Sequence, residues 1–99
     1  MTAISSEELI EIPAQVKGHE VKVLFDTGAS RNFINQGLVK KAKILTTLRD
    51  NKTVQFADEK TQTLSQIAKG LLLQIGDYEE KVDLDVVHLP IYDLILGTP

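Results

Sequence analysis

Apolar and polar residues alternate at every second position along much of this chain, and that period limits the fold more than any other feature. Ile10, Ile12 and Ala14 alternate with Glu11, Pro13 and Gln15; past Val16-Lys17-Gly18-His19, Val21, Val23 and Phe25 alternate with Lys22 and Leu24. Two such runs about a Gly-containing turn make a β-hairpin with one buried face. Pro13 has no N–H for a ladder, which predicts an edge position for the first strand. Residues 53–56 and 61–67 form a second pair around the polar segment Ala57-Asp58-Glu59-Lys60. Leu71, Leu73 and Ile75 join Val82, Leu84 and Val86 through Gly76-Asp77 as a third hairpin, ahead of the apolar run Leu94-Ile95-Leu96 that ends at Gly97. A chain of this kind is mostly β.

The period changes once. Ile34, Leu38 and Ala42 lie four apart, Asn35 can cap, and Lys40, Lys41 and Lys43 lie toward the C-terminal end, where they suit the helix dipole. This predicts one short helix over 35–43, weakened by Gly37. Residues 10–25 and 71–86 echo one another as two alternating strands about a Gly-containing turn, a pattern that duplication produces and chance also produces.

Composition narrows the chemistry. Ninety-nine residues make one domain, and 11 Lys+Arg against 14 Asp+Glu leave no basic excess for neutralising phosphates, so no nucleic-acid ligand is expected. The absence of Cys excludes disulfides, thiol catalysis and cysteine zinc sites, and His19 and His88 are too few for a histidine metal cage. No apolar stretch approaches the ~18 residues of a membrane span. Catalysis here would have to use oxygen chemistry, with no metal or other cofactor. Asp77, Asp83, Asp85 and Asp93 with Glu79 and Glu80 lack the register of a calcium loop, and the strand pattern places Asp83 and Asp85 on an outward, solvated face.

At the exit of the second strand, Phe25-Asp26-Thr27-Gly28-Ala29-Ser30 sets a carboxylate beside a hydroxyl and a glycine that lets another backbone come close. A catalytic turn needs those groups; an ordinary loop also uses them, since Asp, Thr, Gly and Ser are common turn residues. Together with the distant Leu94-Ile95-Leu96-Gly97, this segment resembles the two signatures of retropepsin-type aspartic peptidases. With residues 35–43, Val54-Gln55-Phe56-Ala57-Asp58 and Tyr92-Asp93-Leu94-Ile95-Leu96-Gly97-Thr98-Pro99, the chain looks most like proteases of gypsy-type LTR retrotransposons, over residues 10–99.

That resemblance implies a retropepsin-like acid protease fold, active as a homodimer in which each subunit donates one Asp. Asp26 would be catalytic, with Thr27, Gly28, Leu96 and Gly97 supporting the active-site loop and Gly28, Ala29 and Ser30 lining the substrate cleft. Ala57, Asp58, Glu59 and Lys60 would form the tip of a flap over the peptide. Relatives from retroviruses carry Asp at the place of Ser30 and Arg at the place of Thr98, so this chain departs from them at both ends of an ion pair. Family members continue past the glycine into a helix. Residues 10–99 are accordingly expected to be the protease domain short of that helix, with 1–9 an N-terminal extension. The implied activity is peptide-bond hydrolysis in an extended polyprotein substrate of a retroelement particle in the cytoplasm. A domesticated host peptidase and a non-catalytic dimerisation or binding module of the same fold are the rival readings.

Overall fold

The computed structural model describes residues 9–26, 28–55 and 59–97; Thr27, Ala57, Asp58 and Thr98, all named above, lie outside the described residues. The elements are β1 (Leu9–Val16), β2 (His19–Asp26), β3 (Phe33–Asn35), α1 (Gln36–Lys41), β4 (Thr47–Gln55), β5 (Thr61–Ile75), β6 (Tyr78–Val87) and β7 (Leu94–Leu96). The mostly β reading with one short helix holds.

Local chemistry explains the turns. Lys17 and Gly18 both have positive φ, 50° and 80°, and Val16 pairs with His19, so β1 and β2 are joined by a two-residue turn whose twist matches that of the strands. Gly76, also at positive φ, and Asp77 connect β5 to β6 in the same two-residue manner, with Ile75 opposite Tyr78. Asn35 caps α1 as expected, its Oδ1 accepting from the Gly37 N–H at 3.5 Å. The helix is shorter than 35–43. Ile34 belongs to β3, and the helix closes at Ala42, before Lys43 turns to φ 54°.

The strands form one sheet in the order β1-β2-β7-β3-β6-β5-β4. Pro13 is accommodated as the sequence predicts: β1 ends the order and pairs on its second side only through Gln15 and Val16 with β5. Two insertions define the topology. β7 lies between β2 and β3, parallel to one and antiparallel to the other, while β3 lies between β6 and β7. Each half of the chain thus threads a strand of its own between two strands of the other half.

The main core contains Val16, Val23, Ile34, Leu73, Leu84 and Leu94, all buried. At roughly 1.5–3 kcal/mol for each fully buried aliphatic side chain, these inward positions are what holds the sheet closed. A second cluster of Phe33, Leu64, Val87 and Leu89, with Val54 and Ile95 against it, seats the β4–β5 hairpin on β3 and β7. That hairpin is longer than the sequence indicates. β4 begins at Thr47 rather than 53, and β5 runs unbroken through 61–75, bent by a register shift between Ala68 and Leu71. Among the described residues no helix is long and apolar enough to cross a membrane.

Candidate active site

Asp26 is the last residue of β2, a strand held by β1 on one side and β7 on the other, with Phe25 opposite Ile10 and Leu96. The chain then turns. The Ala29 N–H donates to the Asp26 carbonyl at 3.0 Å, and the Gly28 N–H donates to Asp26 Oδ1 at 2.9 Å, so the loop orients the carboxylate through its own backbone. Asp26 is half-buried, Gly28 and Ser30 are exposed, and Ala29 lies between. Ser30 borders a cavity of about 300 Å³ shared with Phe25, Asn32 and Leu96.

Gly97 lies directly against this loop. A Cβ there would fall 2.4 Å from the Ala29 carbonyl oxygen and 2.7 Å from that of Arg31, so no residue other than glycine fits without moving the loop. Leu96 is buried beside Phe25. Asn32, which carries no motif in the sequence, ties the arrangement together. Its Oδ1 accepts from the Gly97 N–H at 3.0 Å, its Nδ2 donates to the Asp83 carbonyl at 3.3 Å, and its carbonyl accepts from the Asp85 N–H at 3.0 Å. The loop from Asp26 is therefore locked at its far end to both β6 and the residue that follows β7.

The acidic residues of β6 require a correction. Asp85 does not face solvent; it is 3% exposed, while Asp83 is exposed as expected. Strict alternation fails at Asp85 because β3 pairs alongside with Phe33 opposite it, and because two arginines cover it. Arg31 Nε donates to Asp85 Oδ2 at 2.8 Å and Arg49 Nη1 donates to Oδ1 at 2.6 Å. Two cations thus compensate the burial of one carboxylate. Asp83 also has a partner, accepting at Oδ1 from the N–H of Gly70, which lies in the bend of β5. Asp93 accepts from the Lys22 N–H at 2.8 Å and fastens the loop before β7 to β2. No three His, Cys, Asp or Glu residues gather as a metal site would require among the described residues.

The described part of the expected flap tip consists of Glu59, at φ 68°, and Lys60, both exposed where β4 turns into β5. The hairpin is anchored away from the tip. Gln62 accepts from the His88 N–H and donates to the His88 carbonyl, both at 2.9 Å, clamping β5 to the β6–β7 loop. In that loop Ile91 is 68% exposed. The site thus presents a half-buried carboxylate at a strand exit on a loop buttressed by Gly97, beside the cavity bordered by Ser30. Arg31, Asn32, Arg49 and Asp85 carry no local motif; the pairing of β3 with β6 sets the loop residues Arg31 and Asn32 beside Asp85, and β4, paired with β5, brings Arg49 to the same carboxylate.

Comparison with known proteins agrees with this geometry. The family model of the PEG10/RTL1 protease domain matches residues 22–99. Among solved structures, the chain is similar to the retroviral protease-like domain of Ddi1 from Leishmania major, with a TM-score of 0.72 and 18% identity over 90% of this chain and 71% of that one. At that identity the likeness concerns the fold, which is retropepsin-like. No curated protein sequence matches the chain.

Proposed function

Since this chain belongs to the PEG10/RTL1 protease-domain family, we propose that it is an aspartic endopeptidase whose active form is a homodimer with Asp26 from each copy at the centre. The observation that carries this reading is Asp26 itself, a half-buried carboxylate at a strand exit, oriented by the Gly28 N–H and backed by a glycine that tolerates no side chain. Residues 10–99 constitute the protease domain.

The chain holds a single Asp-Thr-Gly, and water activation of this type requires two carboxylates. Two like charges held close together cannot both ionise, so the pair shares one proton. One carboxylate takes a proton from the attacking water while the other protonates the substrate carbonyl. The substrate is an extended peptide lying between the loop 28–30 and the β4–β5 hairpin, which shields the reacting bond from bulk water. No metal or cofactor is needed. In the setting of a retroelement, the substrate is the polyprotein that carries the domain, processed in a cytoplasmic particle.

The test is cleavage of an unbiased peptide library at acidic and near-neutral pH by the wild-type chain, by Asp26→Asn and by the wild type with pepstatin. Cleavage that vanishes in both controls supports the mechanism, and cleavage that persists in Asp26→Asn refutes it. A folded, dimeric wild-type chain that cuts nothing would favour a binding module instead.

A further inference from the structure

We infer that Asp85 is a positioning residue, holding the loop after Asp26 and the β4–β5 hairpin in one fixed relation through Arg31 and Arg49; the catalytic part of this inference rests on the reading of Asp26 above. Asp85 stands on the rigid part of the molecule. β6 is paired on both sides there, with Phe33 and Ile67 opposite Asp85, and the Asp85 N–H is bonded to Asn32. Its two carboxylate oxygens are shared between two other parts of the chain. Oδ2 takes Arg31, five residues after Asp26 on the cleft loop, and Oδ1 takes Arg49 on the outer strand of the hairpin.

β4 needs such an anchor. Of its nine residues only Arg49 and Val54 are even partly buried. Its ladder with β5 changes register between Leu48 and Lys52, the interval from which the Arg49 side chain reaches Asp85. A hairpin arm with so little apolar contact opens locally at low cost. The Arg49–Asp85 ion pair therefore stands at the irregular stretch of the β4–β5 ladder, where few β4 side chains are buried. Arg31, whose side chain is 31% exposed, carries the same carboxylate to the edge of the cleft. The cleft loop and the hairpin are thereby referred to one atom group, which sets the space between them.

Deleting the Asp85 charge alone would strand two arginines, so the informative variant removes the whole cluster. Replacing a buried ionic group by apolar side chains of similar volume is often neutral for stability. The triple variant Arg31→Met, Asp85→Leu, Arg49→Met is therefore expected to fold with Tm unchanged or raised. Amide exchange in 28–32 and 47–55 should accelerate about tenfold or more, and kcat should drop about tenfold or more against the peptide that the wild type cleaves. Arg49→Met, in which Asp85 keeps Arg31, should accelerate exchange in 47–55 alone, and Arg49→Lys should restore most of the protection. Wild-type exchange in both segments, or a loss of kcat that only follows a loss of Tm, would overturn the inference. The exchange measurement needs no catalysis. A wild-type chain that cleaves nothing would thus defeat the reading of Asp26 while exchange still decided whether Asp85 ties the two segments.

Discussion

Replacing Gly97 by alanine tests whether the loop after Asp26 is held from below with the tolerance that cleavage requires. The added Cβ would lie 2.4 Å from the Ala29 carbonyl oxygen, 2.7 Å from the Arg31 carbonyl oxygen and 2.8 Å from the Ala29 carbonyl carbon, against about 3.4 Å for ordinary contact. The Ala29 carbonyl must therefore retreat by about 1.0 Å, the difference between 3.4 and 2.4 Å. All three atoms belong to backbone, so no rotamer change relieves the clash. Gly97 cannot withdraw freely either, since its N–H is bonded to Asn32. The Ala29 N–H is bonded to the Asp26 carbonyl, which passes the shift to the carboxylate. Overpacking of this kind costs about 1–3 kcal/mol, within the ~5–15 kcal/mol of a typical domain, so the variant folds. A displacement of about 1 Å at reacting groups lowers the rate about 100-fold. Urea unfolding and kcat/KM on the wild-type peptide check the two expectations. Wild-type kcat/KM with a stability change below about 0.5 kcal/mol would refute the buttress.

Gly37→Ala provides the contrasting case, since the nearest atom to its Cβ is Asn35 Nδ2 at 3.6 Å and the position is helical; a gain of about 0.5–1 kcal/mol is expected in urea unfolding, and a loss would contradict the α1 geometry. Tyr78 and Tyr92 should both ionise above the ordinary phenol value of 10.0. For Tyr78 the hydrogen bond to Glu80 is the first cause, and for Tyr92 desolvation comes first, followed by the hydrogen bond to Glu11. The chain has two Tyr and no Trp, so absorbance near 295 nm reports these phenols alone. Because folding raises both values, the stability linked to the protonated phenols is complete below pH 10 and is lost as pH rises through the raised values. Midpoints at or below 10 would refute both contacts.

Much of the fold is local and was legible. Alternation in 10–15 and 21–25 places β1 and β2, Lys17, Gly18 and Gly76 supply backbone that turns at positive φ, and Asn35 caps a helix. The motif at Asp26 and the glycine at 97 were likewise readable as residue types at a strand exit and a strand end. β4 was legible only near its end, because Thr47-Leu48-Arg49-Asp50-Asn51-Lys52 has few apolar side chains to alternate and is held by its partner strand and one ion pair. β3 was hidden because Ile34 fits a four-residue helical spacing as well as a short strand. The burial of Asp85 was misread for a deeper reason. Period two says which side of a strand a residue faces, but not what covers that side, and here the covering arginines come from 54 and 36 residues away. The sequence by itself thus determined β1, β2 and the two-residue turns and singled out Asp26 as the candidate carboxylate, since these depend on neighbours within a few residues. Only the tertiary structure decided that Asn32, Gly97 and Asp85 meet the loop after Asp26, because that meeting follows from inserting β7 and β3 between distant strands, a pairing that no local period encodes.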